Sequence, residues 1–147
     1  MSGYALLLIA HLFAAIVFVG TVFFEVLVLE HVRRHVPARA MRAVETGIGR
    51  RARRLMPWVL AVLYASGAGM AWRYRDALAH PLASRFGLLL AIKIALALSV
   101  FGHFLVAMRL HGRGRLVAGA FRGIHVSLFC HMVGIVLLAK AMFHLGG

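Results

Sequence analysis

Seven ionisable side chains stand inside stretches of the chain that are otherwise apolar: His11, Glu25, Lys93, His103, His125, His131 and Lys140. An ionisable group surrounded by hydrocarbon is costly unless it is paired, ligated or used, so these positions are where chemistry is sought first. Imidazole ligates metals and haem iron, and imidazole, carboxylate and amine all move protons. Helical spacing says which of them share a face. His11 and Glu25 are fourteen residues apart, a mismatch of only about 40° at 100° per residue. Lys93 and His103 differ by about 80°, and His125 and Lys140 by about 60°. His131 lies about 120° from His125 and fits that face less well.

The elements that must carry these groups follow from composition. The chain has 147 residues, of which 63% are hydrophobic, well above the share in a soluble domain. Four apolar stretches, 4–29, 55–72, 86–108 and 121–143, are each about the 20 residues that a bilayer core demands. Spans in lipid have to satisfy their own backbone, so helices are expected. The expected fold is an all-α integral membrane four-helix bundle, with residues 1–147 forming a single transmembrane domain. The run from Tyr4 to Leu29 is too long for a signal-peptide core and lacks a basic lead, so it reads as a retained first span. Pro57 falls in the first turn of the second span, where its missing N–H costs little.

A formal charge of +13 would ordinarily point to nucleic acid. Here the arginines gather at the ends of apolar spans, which is the pattern of membrane topology, and a nucleic-acid partner is not expected. Arg33, Arg34, Arg39, Arg42, Arg50, Arg51, Arg53 and Arg54 lie between spans one and two; Arg109, Arg113 and Arg115 lie between three and four, with Arg122 at the start of span four. The connection between two and three holds only Arg73, Arg75 and Arg85. The positive-inside rule then places both termini on the outer, periplasmic side of a bacterial inner membrane. The single cysteine, Cys130, excludes an internal disulfide and any CxxC site.

Depth sorts the polar groups into two layers. At about 1.5 Å per residue, His103 lies about 25 Å from the outer end of its span, and His125 about 6 Å from the inner end of the antiparallel next one. In a core of about 30 Å they meet at nearly one level, where Glu25 also arrives. His11, Met70 and Lys93 fall about 10 Å below the outer surface, with Lys140 a little shallower. Two imidazoles at matched depth on neighbouring helices are what an axially ligated b-type haem needs, and a pair such as His11 with Met70 is another axial set. Lysine or arginine nearby could pair with the propionates.

Plainer readings stand beside these. An intramembrane histidine often only hydrogen-bonds a neighbouring helix. His131 and Cys130 read as packing residues, and Lys140 as a side chain that snorkels outward. His31, His35, His80, His111 and His144 lie at span ends or in connections. Gly67 and Gly69 allow close helix approach or leave room for a cofactor.

His11, Gly20 and Phe23-Phe24-Glu25 through Glu30-His31; Arg50 to Pro57 with Gly67; Arg85 to Lys93 with His103; and Arg122-Gly123-Ile124-His125 with Lys140 follow one another along nearly the whole chain. In order and spacing they resemble the four spans of the CopD/HemJ-like membrane proteins. The CopD branch implies copper uptake or resistance. The HemJ branch implies a protoporphyrinogen IX oxidase that binds b haem. In the HemJ fourth span an Arg-x-x-Asn-Glu-x-Pro pattern is usual; here Arg122 fits, but His125 stands for the Asn, Val126 for the Glu and Leu128 for the Pro. That departure weakens the implied oxidase activity and supplies the histidine at the depth of His103.

The leading expectation is a b-haem redox protein, an oxidoreductase in the HemJ manner, with haem on His11, His103 and His125 and with Met70, Lys93 and Lys140 around it. Lys93 and Glu25 are the candidates for proton transfer. Quinone, porphyrin or a periplasmic protein would be its redox partner, and a chain this small could form a homodimer. The alternative is a CopD-like copper protein using Met70, Met132, Met142, Cys130, His11, His80 and His144, since Cu(I) takes sulfur and imidazole. A third is an accessory subunit of a membrane complex, without chemistry of its own.

Overall fold

The computed structural model describes residues 2–112 and 118–144, with side chains described for 2–109 and 123–142. Arg113 and Arg115, and the side chains of His111, Arg122 and His144, lie outside the described residues. All the described elements are helical. In chain order they are α1 (Gly3–Phe23), a π-helical segment (Phe24–Leu29), α2 (Glu30–Arg33), α3 (Ala38–Ala71), a 3-10 turn (Trp72–Tyr74), α4 (Arg75–Ala79), a second 3-10 turn (Pro81–Ala83), α5 (Arg85–Gly112) and α6 (Ala118–His144). Four stretches are long and apolar enough to cross a membrane: Gly3–Arg33, Ala38–Ala79, Arg85–Arg109 and Gly123–Met142. The chain divides into two compact units, Met1–Arg73 and Tyr74–Gly147. Each is an antiparallel helical hairpin.

In the first hairpin α1 packs on α3. Ser2 caps α1 by accepting the Ala5 N–H, which meets one of the donors every helix start leaves over. Ala14, Phe18 and Val22 are buried along α1 at helical spacing, and Met41, Met56, Leu60 and Ser66 along α3. Phe13 and Ile16, off that row, are exposed, as side chains facing lipid must be. Three contacts set the register. His11 reaches Leu63 and Ser66, Leu7 lies against Gly69, and Arg33 pairs with Glu45 at 2.6 Å and with Glu30 at 2.7 Å. Both bridges are partly exposed, and such pairs contribute on the order of 1 kcal/mol or less; their value here is positional.

The second span begins earlier than its hydropathy indicates. The segment ahead of Leu55, expected as a basic loop, is helical from Ala38 and continuous with the span as one helix of 34 residues. Its alanines, arginines and methionine are good helix formers. Met41, buried on the side away from the arginines, ties the extension to the first leg of the hairpin. Pro37 starts α3 without needing the N–H it lacks.

In the second hairpin α5 packs on α6. Ser84 is extended and accepts the Gly87 N–H through its hydroxyl at 3.0 Å, which starts α5. Gly87 has no substitute there. A Cβ would stand 2.9 Å from the Ala77 carbonyl oxygen and 3.2 Å from that of Pro81, so the short connecting helices press backbone against backbone. Leu90 and Val100 on α5, and Leu128, Met132 and Met142 on α6, are buried.

If the α3 extension stands outside the bilayer, water-soluble reagents will find it. With Cys130 replaced by alanine, a single cysteine at Thr46 should react with a membrane-impermeant maleimide in intact or inverted vesicles, while one at Val62 should stay unlabelled in both. Equal protection at both positions would put the extension inside the membrane.

Candidate functional sites in the two hairpins

A neutral imidazole carries one donor and one acceptor, and in an apolar span both have to be met by the protein. His11 shows how the first hairpin meets this. Its Nδ1 lies 3.0 Å from the Leu63 carbonyl oxygen and 3.2 Å from Ser66 Oγ. A carbonyl can only accept, so Nδ1 carries the hydrogen and Nε2 the lone pair. Ser66 in turn donates its hydroxyl to the Val62 carbonyl at 2.6 Å, leaving an oxygen lone pair for His11. The ring edge lies over Gly67, where a Cβ would come within 3.2 Å of Cε1. Gly67 is therefore the gap in α3 that admits the imidazole. Met70 stands one turn beyond Ser66 on nearly the same side of α3 and is half-buried.

The second hairpin holds a crossed arrangement. His103 on α5 donates from Nδ1 to the carbonyl of Ser99, one turn back, at 2.8 Å. Its Nε2 accepts from the hydroxyl of Ser127 on α6 at 3.0 Å. His131 repeats the pattern in reverse: Nδ1 donates to the Ser127 carbonyl at 2.8 Å, and Nε2 accepts from Ser99 Oγ at 3.0 Å. The two rings lie 5.2 Å apart between centroids, tilted by 56°. Each helix thus contributes Ser-x-x-x-His, and antiparallel packing makes each serine the partner of the other helix's histidine. The opposed lone pairs look at serines, not at one another, so this arrangement does not offer both imidazoles to one metal ion. Either serine hydroxyl could rotate to accept instead, should its imidazole carry a hydrogen at Nε2.

The structure thus sorts the sequence-derived candidates differently from depth alone. His103 and His125 do lie at one level of the second hairpin, since Ser127, which bonds His103, is two residues from His125. Those two residues place His125 about 160° around α6 from Ser127 but only about 20° from Met132, which is buried, so half-buried His125 stands on the flank of the α5 contact. His131, about 40° from Ser127, is the histidine of α6 that shares the serine pair with His103, and the reading of His131 as a packing residue misses its bonds. Depth arithmetic gives height along a helix but not its rotation. The overlooked signal was the repeat of Ser-x-x-x-His in spans three and four, Ser99/His103 and Ser127/His131.

Other candidates are placed as follows. Lys93 is half-buried on α5, more than two turns from His103, and Lys140 is exposed on α6. Glu25 lies in the π-helical segment, whose signature is the Glu30 N–H donating to the Glu25 carbonyl. The hairpin register sets Glu25 at about the level of Ala52, among Arg50, Arg51, Arg53 and Arg54, at the edge of the apolar zone. Of the sulfur and imidazole groups of a copper path, Met132 and Met142 are buried, whereas Cys130 and His80 are exposed. Among the described residues no three of His, Cys, Asp and Glu gather as a metal site would require.

Compared with protein-family models, characterised proteins and solved structures, the chain matches none of them.

The crossed pair makes two predictions. Ser127→Ala or Ser99→Ala should each destabilise the protein by about 1 kcal/mol, the usual scale of an interhelical hydrogen bond in a membrane protein, in unfolding titrations from detergent. A double-mutant cycle between Ser99 and His131 should show coupling of that order, while one between Ser99 and His125 should show none.

Proposed function

We propose that this chain is a multi-pass inner-membrane redox protein of the CopD/HemJ-like kind, both termini outward, that holds b-type haem through His11. The observation that carries the reading is the Nδ1–H of His11 bonded to the Leu63 carbonyl. Histidines that ligate metals commonly donate their other nitrogen to a carbonyl, carboxylate or water, which fixes the tautomer and raises the basicity of the ligating nitrogen. His11 has that arrangement within an apolar hairpin, and its donor chemistry fits haem iron.

The haem, when bound, supplies one-electron exchange, with a potential tuned by its ligand and surroundings. The residues of the chain do the rest. Leu63 and Ser66 hold the imidazole in one orientation, and Gly67 leaves the space the ring edge needs. The apolar faces of α1 and α3 keep water away. In the second hairpin His103 and His131 hold or release a proton at Nε2, as a redox partner that exchanges hydrogen, such as a quinone or porphyrinogen, would require. The donor set of that pair fits proton handling and not axial ligation, so the haem reading rests on His11.

The test is a visible spectrum of the detergent-purified protein, oxidised and dithionite-reduced, with metal analysis of the same sample. A Soret band with sharpened reduced α and β bands is expected. His11→Ala should abolish or greatly weaken the band, with partial recovery on adding free imidazole; Gly67→Val, which crowds the ring, should lower haem content at least several-fold. A colourless protein after growth with a haem precursor ends this reading. Copper in such a sample would move it to copper handling, and neither cofactor to an accessory subunit.

A further inference from the structure

The first hairpin is too long for a bilayer, and all of the excess lies at one end. A helix of 34 residues is about 51 Å long, against a hydrocarbon core of about 30 Å. The apolar part of α3, from Leu55 to Ala71, is about 25 Å of this. The remainder carries Arg39, Arg42, Arg50 and Arg53, which at 100° per residue fall within a sector of about 80°. All four are exposed. Among the described residues none of the four is in an ion pair; of the carboxylates near this end Glu30 and Glu45 are both held by Arg33, and Glu25, level with Ala52 on the other leg, is half-buried. The stripe faces outward, and Met41, about 140° around α3 from its middle, is buried.

What the stripe meets is indicated by the other leg. Phe24, Leu27 and Val28 are 45, 55 and 48% exposed and share one side of their helical turn. The register set by the His11 and Arg33 contacts places them level with residues from about Gly49 to Arg53. Over a band of about 6 Å, one leg therefore presents apolar side chains outward while the other presents guanidinium groups. A soluble acidic protein or a nucleic acid would satisfy the arginines and leave Phe24, Leu27 and Val28 in water. The boundary between acyl chains and phosphates satisfies both, since arginine stems lie along hydrocarbon while their heads reach the headgroups, where guanidinium pairs with phosphate in a bidentate manner.

We propose that Arg50 and Arg53 form a binding site for the phosphodiester of anionic phospholipid, at the leaflet boundary marked by Phe24, Leu27 and Val28. A negative headgroup is favoured over a zwitterionic one because the arginine side of α3 has no acid of its own and would repel choline. Arg39 and Arg42 lie about 12 to 21 Å further along the axis, past the headgroup layer, and are not part of this site. The inference is independent of the reading of His11.

Trp58 provides the reporter. It is 75% exposed, one turn beyond Arg54, and Trp72, the other tryptophan, lies at the opposite end of the span. The full chain with Trp72→Phe would be reconstituted in vesicles containing acyl-brominated phosphatidylglycerol or phosphatidylcholine, and quenching of Trp58 measured. Phosphatidylglycerol should be preferred, on the order of fivefold for each arginine engaged. Arg50→Gln with Arg53→Gln should bring the two lipids towards parity, and Arg39→Gln with Arg42→Gln should leave most of the preference. A Trp58→Phe chain should show Trp72 quenching unchanged by the Arg50/Arg53 pair of substitutions, which also reports that the variant is folded and inserted. Equal quenching by both lipids in the unsubstituted chain would overturn the proposal. So would a preference that survives Arg50→Gln/Arg53→Gln, or one lost equally in both pairs, since either would reflect the charge of the whole basic end.

Discussion

A histidine placed in hydrocarbon has to find one acceptor for its N–H and one donor for its lone pair, or give up the stability that leaving water costs it. That requirement organises both hairpins. His11, His103 and His131 all direct Nδ1 at a backbone carbonyl. Helical carbonyls are normally occupied by the backbone N–H four residues on, but a carbonyl oxygen has a second lone pair, and it is this that the imidazoles use. For His103 and His131 the carbonyl is on the histidine's own helix; for His11 it is across the hairpin. The first kind sets a rotamer, and the second also holds two helices together.

The hairpins differ in what they do with Nε2. In the second, a serine hydroxyl from the opposite helix closes each imidazole, so the polar groups of α5 and α6 satisfy one another in a reciprocal set. Interhelical bonds of this sort are modest individually, on the order of 1 kcal/mol, and their greater effect is to specify rotation and register of two otherwise apolar surfaces. A slip of one residue would separate both serines from both histidines. In the first hairpin the ring instead enters a gap at Gly67, and the bond to the Leu63 carbonyl imposes a single tautomer with the lone pair on Nε2. This difference underlies the proposed separation of roles, iron ligation at His11 and proton handling at the crossed pair.

The same balance between apolar burial and polar satisfaction places the membrane boundary. On α3 the boundary is abrupt, Arg54 being followed directly by Leu55. On the first leg apolar side chains continue to Leu29, so the apolar runs of the two legs end at different heights. The π-helical turn at Phe24–Leu29 lies in this offset, and it carries Glu25. Such turns are often found at functional positions; here one coincides with the level where guanidinium groups and exposed Phe24, Leu27 and Val28 stand together.

Much of this protein is legible from composition and periodicity. Four apolar runs of bilayer length, separated by arginine-rich or short connections, determine four helices, because only a helix or a closed barrel satisfies its backbone in lipid. The candidate groups are legible for the same reason, as ionisable residues are rare and visible against such a background. The heights of His103 and His125 are also determined, since rise per residue is fixed. Rotation is not. That His131 meets Ser99 depends on which side of α6 packs against its neighbour, and that is decided by Ser99, Ser127, Leu128 and Met132 acting together across a contact between residues far apart in the chain. Continuity of α3 through its arginines was likewise decided by tertiary packing. A charged segment next to a span reads as a loop until Met41 is buried and Glu45 meets Arg33, contacts that only the folded hairpin brings into being.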